Sequence, residues 1–233
     1  MTMTKTIRLS PSALSLYKDC HRCFWLDKVK HIRRPRGIFP SLPNGMDRVI
    51  KDYFDSYRQK GEMPPEFAAK SFEGLLPYDN QRQLDLWRDW KTGPQFVDED
   101  GSILFGAIDD LMVNNGKHVT FDYKTKGTPT TVEAAKKYYT TQLECYSLML
   151  EATGLPQAGY GYLMYYSPKQ TREKGWVLFN LQAIRIDTDV NRAKALFREA
   201  AALLRQPEIP HRTNCEYCQW ASNVLNNKEL FAS

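Results

Sequence analysis

The chain has 233 residues, of which 42% are hydrophobic and 25% charged. That length supports a core that needs no disulfide staples, and that balance excludes a disordered, fibrous or membrane-embedded polypeptide. With 32 Lys and Arg against 27 Asp and Glu the net charge is +5, which permits a polyanionic partner without requiring one. The start, Met1-Thr2-Met3-Thr4-Lys5-Thr6, lacks the apolar stretch of a secretory signal, and no apolar run approaches membrane-spanning length. A cytoplasmic location away from membranes is therefore expected. There the five cysteines are expected as ligands or free thiols rather than disulfides.

In chain order, Ser10-Pro11-Ser12 predicts a helix start, with Ser10 as cap and Pro11 in the first turn. Leu14, Tyr17, Phe24 and Trp25 continue at roughly helical spacing, and a basic loop follows, Arg33-Arg34-Pro35-Arg36-Gly37. A second helix is predicted from Asn44, with Met46, Val49, Ile50, Tyr53, Phe54 and Tyr57 on its apolar side, until Pro64-Pro65 breaks the pattern. Residues 79–91 read as helix. Strand patterns dominate from Ser102 to Lys124 around Asn114-Asn115-Gly116-Lys117, and Asn-Gly is the strongest short hairpin signal. A long helix is predicted from Thr131 to Ala152, then strands over Gly159 to Tyr166 and Trp176 to Ile186, then a helix capped by Thr188 and running to Leu204. No repeat or low-complexity linker interrupts this order. It predicts one domain over residues 1–233, an α/β or α+β mixed central sheet flanked by helices, with its core at about 40–205.

The hairpin carries the chemistry. If Asn115-Gly116 is a two-residue loop, pairing outward from Asn114 and Lys117 sets Leu111 opposite Thr120, Asp109 opposite Asp122 and Ala107 opposite Lys124. Facing residues share one side of the sheet with Cβ atoms roughly 4.5–5.5 Å apart, close enough for two carboxylates to hold one divalent cation. The same period places Lys124 on that wet face, while Ile108, Met112, Val119, Phe121 and Tyr123 form a dry one. Asp110 falls opposite Phe121, on the other face, and is expected to be structural. Taken alone an Asp-x-Lys pair is commonly a solvated ion pair. Two facing aspartates destabilise a strand pair unless something positive lies between them.

Gly106-Ala107-Ile108-Asp109 followed by Phe121-Asp122-Tyr123-Lys124-Thr125-Lys126-Gly127 resembles the GxxD and D-x-K motifs of the PD-(D/E)XK nuclease superfamily. Gln142-Leu143-Glu144-Cys145-Tyr146 resembles the Q-x-x-x-Y motif of its RecB-like branch, which includes CRISPR-associated adaptation exonucleases and AddB-type repair nucleases. The resemblance implies a restriction-endonuclease-like fold and a Mg²⁺- or Mn²⁺-dependent deoxyribonuclease. Asp109, Asp122 and the Tyr123 carbonyl would be the ligands, Lys124 the catalytic lysine, and Gln142 and Tyr146 would face the site and the DNA. The branch usually carries a histidine ligand on its early helix after a glycine. Here that segment reads Gly45-Met46-Asp47-Arg48-Val49-Ile50-Lys51, so Asp47 is either a substitute ligand or a plain surface aspartate.

Cys20-His21-Arg22-Cys23 and Cys215-Glu216-Tyr217-Cys218 are two C-x-x-C pairs near opposite ends of the chain, with Cys145 to spare. Four thiolates suit Zn²⁺ or an iron–sulfur cluster, either of which would clasp residues 10–30 to 206–233. The resemblance implies a cluster of the 4Fe-4S type and leaves zinc as the alternative. Arg33, Arg34, Arg36, Lys126, Lys136 and Lys137 are candidate phosphate contacts, with Tyr138 and Tyr139 placed to stack on bases. The resulting expectation is an exonuclease on single-stranded DNA in repair or CRISPR adaptation, with protein partners there. The alternatives are a catalytically weak DNA-binding or partner-docking subunit, and an iron–sulfur redox sensor.

Overall fold

The computed structural model describes residues 6–35, 37, 41–69, 72–211, 215–227 and 229. Helices α1 (Pro11–Asp19) and α2 (His21–Val29) follow a short strand, β1 (Arg8–Leu9). Where the spacing suggested one continuous helix there are two. Cys20 is extended, closes α1 through its N–H and caps α2 by accepting the Cys23 N–H on Sγ at 3.4 Å. Helix α3 (Ser41–Arg58) starts three residues before Asn44 and buries Ile50, Phe54 and Arg58. Val49 and Tyr53, expected on its apolar side, are exposed. After β2 (Leu75–Pro77), α4 (Gln81–Trp87) is shorter than predicted and leaves Trp90 exposed. Next come β3 (Gln95–Val97), β4 (Ile103–Phe105), β5 (Asp110–Asn114), β6 (Lys117–Thr125), α5 (Val132–Glu151), β7 (Gln157–Thr171), β8 (Val177–Asp187), α6 (Val190–Leu204) and α7 (Glu216–Asn226). Asp189, not Thr188, caps α6, because its carboxylate reaches the N–H groups of Asn191 and Arg192.

The fold is α+β. The main sheet has the order β2-β5-β6-β7-β8 and is mixed: β6 and β7 run parallel, the other neighbours antiparallel. Helix α5 makes the crossover that parallel strands require. A small sheet, β1-β4-β3, stands beside it. Alternation along β6 sends Val119, Phe121 and Tyr123 into a core with Ile50 and Phe54 of α3. The opposite face of the sheet packs Leu111, Leu163 and Ile184 against Leu14, Leu143, Met149 and Phe197 of α1, α5 and α6.

The β5–β6 turn has positive φ at both Asn115 (49°) and Gly116 (74°), the type I′ geometry that matches strand twist. Its register runs as the turn chemistry predicts, from Asn114↔Lys117 to Leu111↔Thr120 and Asp110↔Phe121. There the ladder stops. Asp109 and Ala107 do not pair with Asp122 and Lys124, because the chain leaves the strand: the Ile108 N–H donates to the Trp87 carbonyl at 3.0 Å. Ile108 accordingly packs in the core under α5 and not with Met112. The face expected to be wet is covered, and Thr120 and Asp122 are fully buried on it.

This departure depends on Gly93. A Cβ there would stand 1.9 Å from the Gly106 carbonyl oxygen, three residues before Asp109. Gly93→Ala must displace the segment leading to Asp109. It is expected to destabilise the protein by about 1–3 kcal/mol, read from the denaturant midpoint. An unchanged midpoint would mean that the two backbones are free to separate.

Candidate active site and a four-cysteine cluster

Asp109 follows the end of the irregular segment and Asp122 lies on β6. The Asp109 carboxylate accepts from Lys51 Nζ at 2.9 Å and from the Tyr123 N–H at 3.2 Å. Asp122 Oδ1 accepts from Gln142 Nε2 at 3.0 Å, and Gln142 also donates to the Tyr146 hydroxyl at 2.5 Å. The Lys124 ammonium contacts Asp122 Oδ2 and lies 4.8 Å from the Tyr139 ring centroid. Burial, and then the Asp109 charge, push the Asp122 carboxyl up to about 7. Burial works in the same direction on Asp109, but the Lys51 and Lys124 charges outweigh it and hold that carboxyl below the usual range.

Asp47 and Lys51 share one face of α3 at i, i+4, and Lys51 Nζ lies 2.8 Å from Asp47 Oδ2. Asp47 thus joins the cluster through Lys51. Lys51 is a site residue that motif reading passed over. Its only local signal is the Asp47–Lys51 spacing.

Behind the site is a buried ion network. Asp110 is fully buried, bonded to Arg58 Nη2, to the Tyr123 hydroxyl at 2.6 Å and to the Leu111 N–H at 2.7 Å. Arg88 pairs with both oxygens of Asp55 and donates Nε to the Asp109 carbonyl at 2.9 Å, so α4 fixes the backbone of Asp109. Asp110→Ala would leave Arg58 buried beside an empty space. It is expected to cost about 3 kcal/mol or more, measured by urea unfolding. A loss under about 1 kcal/mol would show that the network does not support the site.

The other predicted contacts fall in two places. Lys126, Lys136, Lys137 and Tyr138 are exposed around the loop after β6 and the first turns of α5. Arg33 pairs with Asp27, and Arg34 pairs with Asp19 and lies over the Tyr217 ring, so both belong to the cysteine region. Arg36 lies outside the described residues.

Both C-x-x-C segments are built alike. The first cysteine caps a helix (Cys20 for α2, Cys215 for α7) and accepts on sulfur the N–H of the second, in each case at 3.4 Å. All four Sγ atoms lie within 4.8 Å of one another. Cys20–Cys218 and Cys23–Cys215 are 3.7 Å apart and Cys23–Cys218 3.8 Å. Burial pushes the Cys23 thiol up to about 12. Burial acts the same way on Cys215, but the Cys218 N–H and neighbouring thiols overcome it and bring that thiol down to about 6. Such a set is suited to binding a metal ion. Cys145 is apart from it, buried in the core along α5.

The fully buried Asp122 carboxylate, the half-buried Asp109 carboxylate and the Lys124 ammonium thus meet on a sheet crossed by α5. A family model of the PD-(D/E)XK nuclease superfamily matches residues 40–223, and the chain belongs to that superfamily. Its class of reaction is hydrolysis of phosphodiester bonds. No curated protein matches the sequence. Among the described residues no helix is long and apolar enough to cross a membrane.

Proposed function

We propose that this chain is a RecB-like deoxyribonuclease that uses Mg²⁺ or Mn²⁺ and degrades single-stranded DNA from an end. One observation carries the reading: Asp122 is fully buried, its Oδ2 in contact with the Lys124 ammonium and its carboxyl facing the Asp109 charge. With Asp109 as the adjacent charge on the same carboxyl, the donor set is all oxygen and anionic, which suits a hard divalent cation. The Tyr123 carbonyl and Asp47 are further candidate ligands. When bound, the cation polarises the scissile phosphate and lowers the pKa of water.

The protein's own groups have distinct roles. Asp109 and Asp122 would hold the cation. Gln142 keeps Asp122 in place and is itself tied to Tyr146. Lys124, in contact with Asp122, would stabilise the negative charge that develops on the phosphate. Lys51 positions Asp109 from the opposite side.

End-labelled single- and double-stranded DNA incubated with Mg²⁺, Mn²⁺, Ca²⁺ or chelator tests this. Shortening from an end, faster on single strands and only with Mg²⁺ or Mn²⁺, is the expected result, and its absence would sink the enzyme. Retained DNA binding without cutting would favour a second reading, a DNA-holding subunit. The observation behind that reading is that Lys51 fills the space between Asp47 and Asp109, so the helix α3 carboxylate is not turned directly to the pair.

For the cysteines we propose a single tetrahedral zinc ion. Zn–S bonds of about 2.3 Å give tetrahedron edges of about 3.8 Å, close to three of the sulfur separations here, with all four sulfurs within 4.8 Å of one another. In an iron–sulfur cluster each thiolate binds its own iron, which spreads the four sulfurs wider.

A further inference from the structure

We infer that the β7–β8 hairpin is an arm that binds the single-stranded DNA substrate beyond the active site. The inference rests on the proposed reading that this substrate is DNA. Strand β7 runs parallel to β6, with Lys124 opposite Tyr165 and Thr125 opposite Tyr166. Strand β6 ends there, just past the candidate active site, and β7 does not. It continues with β8 alone, pairing Ser167↔Asn180, Pro168↔Phe179, Gln170↔Leu178 and Thr171↔Val177. At about 3.3 Å per residue this ribbon overhangs the active-site end of the sheet by roughly 15–20 Å.

An unaccompanied two-stranded ribbon is marginal in stability. Every residue from Pro168 to Val177 is exposed. Among the described residues the tip is tied by local bonds such as Arg172 N–H to the Trp176 carbonyl at 2.8 Å. Its composition is that of a strand-binding surface. Lys169, Arg172 and Lys174 stand against one acid, Glu173, and among the described residues none of the three cations has a carboxylate within ion-pair distance. Trp176 is 71% exposed, and Phe179, three residues along β8, is also exposed. Exposed indole and phenyl rings on the same ribbon as these cations fit stacked bases and phosphates of an unpaired strand. Direction supports the choice of partner, because the ribbon extends from the strand end where Lys124 waits for a phosphate. A strand leaving the site along it would meet the cations in turn.

The test uses the full chain, with Ca²⁺ replacing Mg²⁺ or Mn²⁺ so that DNA is bound without being cut, and a fluorescent oligonucleotide as probe, single-stranded or in duplex form. Two variants are compared with wild type, K169Q/R172Q/K174Q and Trp176→Ala. All three are expected to melt alike. The triple variant should bind the single strand roughly ten- to a hundredfold more weakly at low salt, with the log affinity against log salt slope reduced by about 2. Trp176→Ala should lose about fivefold or more. Unchanged affinity and slope in both variants, with wild type cutting DNA in Mg²⁺ or Mn²⁺, would overturn the arm and leave the nuclease standing. Arm-dependent binding by a wild type that never cuts would uphold the arm and overturn the nuclease. Wild type that binds no DNA, or losses confined to duplex, would also overturn the proposal.

Discussion

Asp122→Asn is expected to lower DNA hydrolysis by about a thousandfold or more while raising the stability of the metal-free protein. The loss of rate follows from removing one of the two proposed anionic ligands: several kcal/mol of transition-state stabilisation would depend on the cation between them. The gain in stability follows from burial. Asp122 has no exposure, faces the Asp109 charge, and its carboxyl is pushed up to about 7 from an ordinary 3.8. A carboxyl raised in the folded state keeps its full stability below the unfolded value and loses stability as pH rises through the folded one. The native protein without metal therefore weakens progressively between about pH 4 and 7, and the amide, which still accepts from Gln142, does not. Well above neutrality the variant should be more stable by about 1–4 kcal/mol, the upper figure being the whole shift of about three units. Initial rates on labelled DNA and thermal melts with and without Mg²⁺ read both effects. Wild-type cutting by the variant would remove Asp122 from the chemistry. A variant that melts below the metal-free wild type at high pH would remove the strain argument.

Cys218→Ser, or removal of the ion by chelator, is expected to release α7 from the body of the protein. Along α7 only Cys218 is buried, so little apolar packing holds the helix once the four-sulfur site is lost. The binding free energy of a structural zinc site is itself folding free energy, of the order of 10 kcal/mol in small zinc peptides. Helices α1 and α2 should stay in place, because Leu14 and Phe24 are fully buried in the main core. The expected signature is zinc content falling from about one per chain to near zero, rapid proteolysis before α7, and a lower melting temperature with the central sheet intact. Protein purified without oxygen should be colourless. Visible absorption with bound iron would replace zinc by a cluster, and unchanged protease resistance would show that α7 is held by other means.

Much of the frame was legible because it depends on rules that act over a few residues. Asn115-Gly116 selects a type I′ turn by chirality, and the turn sets the register that separates Asp110 from Asp109. The Gly154 and Pro156 stop ended α5 within a residue or two. The paired C-x-x-C spacing foretold that the chain ends would meet. The structure departs from the sequence pattern where a local rule reaches its limit. The β5–β6 register predicts a ladder through Asp109, but the chain leaves β5 there to bond Trp87. The apolar spacing predicts one N-terminal helix, but the capping geometry of Cys20 makes two.

By itself, then, the sequence determined the element order, the hairpin register, the two families of motif and the pairing of cysteine segments, because turn chirality, side-chain period and capping are properties of neighbours. Tertiary structure alone decided that Lys51 joins Asp47 to Asp109, that Arg88 grips the Asp109 backbone, that Gly93 makes room for Gly106, and that β7 outruns β6 to form an arm. Each of these joins segments far apart in the chain, or compares the lengths of strands joined through a helix. Their spacing carries no local signature, because only the packing of the whole sheet and its helices brings them together.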